Sequence, residues 1–273
     1  MKPHSPTDMT PESIARENGL DLEDLNNLLD IIHRSMQIPA QRVFVQENGL
    51  GRYFMVELKG VGKITTPYGK FWEYDFRIDD EWRKYSVILK GEIDEETFLP
   101  TFKNDKELVL RTDSGCETGQ VFNDMTCECG DQLDLAMKTI AEVGEGMIIH
   151  IPRQDGRGMG LPFKLATLWL QDEFKINTVE AACLLAPGGV IDVRTYTGVI
   201  CILKFFQVST ECQIKLATNN PKKAEVFQEN GYIIPDYVPV IIEPNENTRR
   251  HLTAKQDCLG HIGLVHPDIE EQE

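Results

Sequence analysis

Residues 132–173 read QLDLAMKTIAEVGEGMIIHIPRQDGRGMGLPFKLATLWLQDE, and this stretch decides the fold class. A helix is expected over Gln132 to Val143, then an apolar strand, MIIHI (147–151), then a glycine-rich turn, RQDGRGMG (153–160). A second helix follows over about Leu161 to Glu173. Further on, KLAT (215–218) reads as a strand that leads into a loop and helix, TNNPKKAEVFQENG (218–231). Strands alternating with helices argue for an α/β body.

Upstream, the pattern changes. From about Arg42 to Val109 the runs VFVQ, RYFMVEL, FWEYDFRI and KYSVILKGEI are short and rich in β-branched and aromatic residues, the mark of strands. Thr66-Pro67-Tyr68-Gly69 punctuates them as a turn. The expected fold is therefore mixed α/β (α+β): a β-rich N-terminal part, then a mixed sheet with flanking helices.

Residues 1–45 read as a helical extension and 46–273 as the main domain. Thr10 is a good N-cap and Pro11 a good first helical residue. Leu22, Leu25, Leu28, Leu29, Ile32 and Met36 then recur at helical spacing, so the extension is expected to pack on the body or on a second subunit. The tail is polar from Asn245 to His261 and is expected to fray beyond it.

The chain of 273 residues is long enough for a core without covalent staples. Its 41% apolar and 26% charged residues are ordinary for a globular protein. A formal net charge of −16 disfavours nucleic acid and anionic membranes as partners, so a polyanionic substrate requires a local basic pocket. No transmembrane run and no secretory h-region is visible. Seven cysteines without a signal peptide read as reduced thiols or metal ligands in a cytoplasmic protein.

Three of these cysteines fall within 14 residues: Cys116, Cys127 and Cys129, bracketed by Gly115, Gly119 and Gly130. Soft thiolates at this spacing can converge on one Zn²⁺, and three ligands leave a position open for chemistry. Two other readings stand beside it. Cys183, Cys201, Cys212 or Cys258 could close the site with a fourth sulfur, or the trio could be small buried residues. Cys183 and Cys201 sit in apolar runs and read as core.

Basic, glycine-bearing segments supply the anion-binding candidates. Arg153-Gln154-Asp155-Gly156-Arg157-Gly158 lies between a strand and a helix, where glycine admits a close ligand and arginine offers a fork to phosphate. Thr218-Asn219-Asn220-Pro221-Lys222-Lys223 occupies a similar junction and reads equally as a capped helix start. Asp192 and Arg194, in a loop entering a helix, read as an ion pair on their own.

Together these motifs resemble the GTP cyclohydrolase II family. The resemblance runs from about Ile64 to His261. It rests on Ser114-Gly-Cys-Glu-Thr-Gly, Cys127-Glu-Cys-Gly-Asp-Gln-Leu, Arg153-Gln-Asp-Gly-Arg-Gly-Met-Gly-Leu, Leu170-Gln-Asp, Asn177-Thr-Val-Glu-Ala and Thr218-Asn-Asn-Pro-Lys-Lys. It implies that Cys116, Cys127 and Cys129 hold one Zn²⁺, and that hydrolysis opens the imidazole ring of GTP at C8. Pyrophosphate leaves the triphosphate with the help of Mg²⁺, and the product feeds riboflavin biosynthesis. By matched position it gives Asp192 and Arg194 catalytic roles at the α-phosphate. It places Arg111, Thr112, Asp113, Ser114, Gly115, Gln132, Asp155, Gly156, Arg157, Thr178, Thr218 and Lys223 around the nucleotide. It also implies a homodimer.

The chain departs from the family pattern in places. Leu168 stands where the family usually has a tyrosine linked to loss of formate, so the expected reaction stops at the formamidopyrimidine nucleotide. Asp113 and Gly115 stand where the family more often has His and Glu, and Asp113 adds negative charge beside the expected phosphates. These differences suit a divergent branch. The alternative functions are the same chemistry on another purine or pyrimidine nucleotide, and a non-catalytic nucleotide-binding protein with a structural zinc.

Overall fold

A computed structural model describes residues 9–79, 84–186 and 188–265. Helix α1 (Pro11–Asn18) starts as its sequence dictates: the Thr10 hydroxyl accepts the Ser13 N–H at 3.3 Å, and Pro11 opens the helix. Helix α2 (Leu22–Ser35) is capped by Asp21. Its apolar stripe divides. Ile31 packs on the main core, whereas Leu22, Leu28, Ile32 and Met36 remain exposed.

Strands β1 (Gln41–Glu47), β2 (Leu50–Thr66), β3 (Gly69–Ile78) and β4 (Lys84–Lys90) form an antiparallel meander. The β2–β3 turn is the expected Thr66–Gly69, closed by the Thr66 hydroxyl donating to the Gly69 carbonyl at 2.9 Å. Position 45, the expected end of the extension, falls inside β1, which pairs with β2 along its full length. Strands β5 (Glu92–Ile93) and β6 (Pro100–Thr101) make a small separate pair.

The second half alternates. In order it holds β7 (Glu107–Ser114), α3 (Glu117–Gln120), α4 (Cys129–Val143), β8 (Gly146–Ile151), α5 (Leu161–Phe174), α6 (Thr178–Leu185) and α7 (Thr197–Phe205). Strand β9 (Gln213–Ala217), α8 (Glu225–Glu229), β10 (Ile233–Val238) and α9 (Arg249–Leu259) complete it. All the long strands join one eight-stranded sheet, ordered β1-β2-β3-β4-β8-β7-β9-β10. The contact β4–β8 is antiparallel, and β8, β7, β9 and β10 run parallel to their neighbours. The mixed α/β reading therefore holds, with the meander spliced to a parallel half.

The sheet is covered on both faces. On one, α7 lays Val199 to Phe206 over the meander, where Phe76 meets the rings of Phe205 and Phe206 at 5.1 and 5.4 Å. On the other, Ala136 and Ile140 of α4 meet Phe71 and Ile148. Each large buried side chain among these, valine, isoleucine or phenylalanine, contributes roughly 1.5–3 kcal/mol by transfer from water. This two-sided burial explains why MIIHI reads as a continuous apolar run: strands covered on both faces lose the polar alternation. No helix among the described residues is long and apolar enough to cross a membrane.

The expected C-terminal fraying concerns residues partly outside the described range, which ends at Val265. Within that range, the polar tail from Asn245 carries the ordered helix α9.

Candidate functional site

The three parallel strands β8, β7 and β9 end side by side; Arg111 to Ser114 close β7, Cys116, Asp155 to Arg157 and Thr218 follow the strand ends, and Asp192 and Arg194 come from the loop between α6 and α7. Ser114 pairs in register with Ile151, so the two loops after them start together. Backbone bonds join them: the Gly115 N–H donates to the Ile151 carbonyl at 2.8 Å, and the Gln154 N–H to the Gly115 carbonyl at 3.1 Å. Loops at the carboxyl ends of such strands are the usual ligand-binding edge of α/β sheets.

Cys116, Cys127 and Cys129 converge there, with their sulfurs all within 4.8 Å of one another; Cys116 and Cys127 are 3.5 Å apart. Cys116 follows β7 and precedes α3, and Cys129 is the first residue of α4, which begins a turn earlier than expected. The glycines between them are a packing requirement. A Cβ on Gly119 would stand 2.8 Å from the Cys127 sulfur, and one on Gly130 2.6 Å from the Gly119 carbonyl oxygen. Among the described residues no fourth cysteine joins the trio. Cys201 and Cys212 are buried in the main core. Cys183, expected in the core, is instead exposed, because it lies on the outer face of the short α6.

The donor set suits a soft divalent cation: three sulfurs in one place, partly buried, with a nearby cation already present. Lys164 of α5 points its ammonium at the trio, 2.7 Å from the Cys116 sulfur and 3.6 Å from that of Cys127. Hydrogen bonds from Cys127 and Cys129, with Lys164 behind them, favour Cys116 as the thiolate. The bond to Cys116 pushes Cys127 up to about 11. Lys164 itself is held charged, since the sulfurs outweigh the cost of its burial.

The glycine-rich segment forms a 3₁₀ turn over Asp155–Gly158, with Gly156 and Arg157 both in the left-handed region at φ 57° and 58°. Asp155 accepts the Glu117 N–H at 2.9 Å, tying this turn to the cysteine loop, and Arg157 donates to the Thr178 hydroxyl at 3.1 Å. Burial first, and then Cys116, raise the Asp155 pKa against its backbone bond to Glu117.

Asp192 and Arg194 do form an ion pair, and its Arg194 lines a cavity together with the cysteines. Arg194 donates through Nε to Oδ1 at 2.9 Å and through its terminal nitrogen to Oδ2 at 2.5 Å. Burial opposes charge on both, but this fork holds Asp192 below the usual carboxylate range and Arg194 above its own. Gly158 lets the two loops meet: a Cβ there would stand 3.1 Å from the Arg194 backbone nitrogen.

One cavity of about 100 Å³ is lined by Ser114, Cys116, Cys127, Cys129, Asp155, Gly156, Arg157, Thr178 and Arg194. Leu168 lines it too, while Trp169, its neighbour on α5, is 75% exposed and points away. A second cavity of about 420 Å³ adjoins it at Cys127.

The other expected residues form a buried polar cluster outside that lining. Arg111 donates to the Ala217 carbonyl at 3.3 Å, to Gln132 at 3.3 Å and to Asp113 at 3.4 Å. Lys223 donates to the Thr112 carbonyl at 2.8 Å, and Thr218 is buried beside them. Asp113, 1% exposed, also accepts from Gln120 and His150, each at 2.8 Å. Burial would raise its pKa, but His150, Arg111 and Gln120 outweigh that and keep it charged. Its charge is spent on these donors and does not line the cysteine cavity. Gly115 belongs to the same arrangement, since a Cβ there would lie 2.8 Å from His150 Nε2. The two departures at 113 and 115 thus share one neighbour, His150.

Several residues at the site were not anticipated. Lys164 is one. Four more come from the tail: His251, Lys255, Leu259 and His261 line the cysteine cavity. Lys255 donates to the Glu128 carboxylate, and His251 lies 3.4 Å from it, so α9 is anchored on the residue between two of the cysteines. The periodicity of this segment is too polar to advertise a docked helix, because its contacts are charges rather than an apolar stripe. A sequence signal did exist in the alternation of basic residues and histidines over Arg249–His261.

Comparison with known proteins places this arrangement. The sequence profile described as GTP cyclohydrolase II matches residues 59–239, two-thirds of the chain. The chain belongs to the GTP cyclohydrolase II family. It is 33% identical over 208 residues to GTP cyclohydrolase-2 of Picrophilus torridus, covering 76% of this chain and all of that protein. It is 32% identical over 200 residues to GTP cyclohydrolase-2 of Colwellia psychrerythraea, covering 73% and 91%. It is also 35% identical over 198 residues to the riboflavin biosynthesis protein RibBA of Phocaeicola vulgatus, covering 72% of this chain and 45% of that one. Among solved structures, RibBX of A. baumannii, a two-domain 3,4-dihydroxy-2-butanone 4-phosphate synthase, aligns with a TM-score of 0.35 and 15% identity over 84% of this chain and 48% of its own. The family match covers the cysteine trio, the phosphate-loop candidate and the Asp192–Arg194 pair; α1, α2, β1 and α9 lie outside it.

Proposed function

We propose that this GTP cyclohydrolase II family member opens the imidazole ring of GTP at C8 by hydrolysis and releases pyrophosphate, in the direction of riboflavin. One observation carries the reading: three convergent thiols and two arginine side chains line the same cavity. Metal donors and phosphate-binding cations are thereby offered to the two ends of a single nucleotide.

Cys116, Cys127 and Cys129 are the residues that would hold a Zn²⁺. When bound, that ion supplies the Lewis acidity that hydrolysis at a purine carbon requires at neutral pH. The immediate charges favour a divalent ion. With all three thiols deprotonated by metal binding, they and the Glu128 carboxylate would stand against the ammonium groups of Lys164 and Lys255, a net of two negative charges for the ion to neutralise.

The phosphate end is the work of Arg157, Arg194 and the turn at Gly156. Arg194 is held protonated by Asp192, so it has no lone pair to offer as a nucleophile. Its role is to stabilise the charge that grows on the departing pyrophosphate, with Asp192 fixing the plane of the fork. Mg²⁺ accompanies the triphosphate. The Arg111, Thr112, Asp113, Gly115, Gln132, Thr218 and Lys223 cluster holds the strand ends that carry these loops. The cysteine cavity alone is smaller than the roughly 300 Å³ of a small ligand pocket. Its neighbour at Cys127 supplies the remaining room.

Leu168 shapes the product. It lines the cavity where the family usually has tyrosine, and it can neither donate nor accept a proton. The reaction therefore ends at the formamidopyrimidine nucleotide, with the formyl group retained. The working unit is a homodimer. Incubation of zinc-replete protein with GTP and Mg²⁺, followed by mass analysis, tests the reading: ring-opened product and pyrophosphate support it. Tight binding of a non-hydrolysable GTP analogue without turnover of GTP contradicts it.

A further inference from the structure

We infer that Glu47, at the end of β1, is a positioning residue for Arg194. The inference rests on the reading of Arg194 as the group at the triphosphate. Glu47 lies outside the family-matched residues 59–239, so the role comes from this chain's own contacts.

Those contacts are specific. One oxygen of Glu47 accepts the Tyr196 N–H at 2.9 Å, and the other accepts the Thr197 hydroxyl. Tyr196 and Thr197 are two and three residues beyond Arg194, at the start of α7. Free N–H groups and the positive end of the helix dipole make this a favourable place for a carboxylate. Tyr196 carries consequence of its own. Its ring lies 5.3 Å from the Lys223 ammonium.

The anchor is itself fixed. Gln46 and Asn230 exchange two hydrogen bonds, at 3.1 and 2.7 Å. Lys204 of α7 reaches the Phe44 carbonyl at 2.5 Å and Asn230 at 3.1 Å. Strand β1 is therefore locked to α7 and to the end of α8. On the other flank, the Val193 N–H donates to the Arg157 carbonyl at 3.0 Å, and Gly158 closes on the Arg194 backbone. The loop that carries Arg194 is gripped on one side by the phosphate turn and on the other by Glu47. Glu47 does not line the cysteine cavity, so it acts through the loop and not on the substrate. A shift of about an ångström in a positioning group can cost on the order of a hundredfold in rate.

The test compares full-length, zinc-replete wild type with Glu47→Ala and Glu47→Gln. Amide hydrogen exchange is followed in peptides covering 192–200 and 114–129, with kcat, KM and bound zinc measured on the same samples. Glu47→Ala should speed exchange only in 192–200 and lower kcat at least tenfold, with zinc content unchanged. Glu47→Gln, which keeps one acceptor oxygen, should recover part of both. Faster loop exchange with unchanged turnover per folded chain overturns the positioning role, as does no change in either. Should Glu47→Ala fail to fold, the same two readouts on Glu47→Gln decide. A wild type that turns over no GTP contradicts the GTP reading, and with it this role; that failure is recognised because it appears in the wild type and not only in the variants.

Discussion

Arg194 meets Asp192 through two parallel hydrogen bonds, Nε to Oδ1 at 2.9 Å and a terminal nitrogen to Oδ2 at 2.5 Å, and Arg194 lines the cavity that the cysteines line. A planar, two-point pair of this kind fixes orientation as well as charge. Arg194→Ala should keep its zinc and fold but release pyrophosphate about a hundredfold more slowly. Arg194→Lys should rescue little, since a point charge cannot reproduce the fork. A coupled pyrophosphate assay checks both; full turnover in either variant contradicts the assignment.

Cys127→Ser should lower bound zinc from one per chain to near zero and abolish ring opening. Its sulfur is 3.5 Å from that of Cys116 and is shared by both cavities. Elemental analysis of the purified variant beside the wild type gives the answer, with circular dichroism as the control for fold.

Wild-type protein should yield less than one-tenth of an equivalent of formate per GTP opened. Leu168→Tyr places a phenol in the cavity lining and should raise that yield, unless overpacking of α5 costs stability first. Formate dehydrogenase coupling measures the yield, and a melting curve identifies overpacking. Stoichiometric formate from the wild type would remove the role given to Leu168.

Stability should fall in mild acid through His261. Burial, together with Lys255, Arg194 and Lys223, pushes its pKa down from 6.5 to about 3, with Glu128 acting in the opposite sense. A histidine held neutral in the folded state stabilises fully above its unfolded pKa, and that contribution is lost as pH falls from about 6.5 towards 3. His261→Asn should flatten this part of the profile. Urea denaturation at several pH values between 7 and 4 reads the slope; an unchanged slope contradicts the placement of His261.

Much of this architecture was legible in the residues, and what was not has physical reasons. The α4–β8–α5 stretch and the meander announce themselves because their cores are apolar and their turns carry glycine and proline. The cysteine trio is visible for the same kind of reason: three thiols so close in sequence have few ways to avoid one another. The Asp192–Arg194 pair reads as bland or functional from sequence alone, because only the fold brings Arg194 to the cavity of the cysteines. Lys164, Glu128, Lys255 and His251 were invisible because their partners lie 37 to 127 residues away and are polar. Burial of charge leaves no periodic trace. Asp113 illustrates the converse: an unwelcome charge in the sequence is neutral in effect once His150, Gln120 and Arg111 surround it.

The decisive experiment is to weigh what zinc-loaded protein makes from GTP in the presence of Mg²⁺. The expected product is a nucleotide monophosphate that has gained water at the opened ring and kept its formyl carbon, with one pyrophosphate released per turnover. GTP recovered intact from protein that carries one zinc on its three cysteines would contradict it.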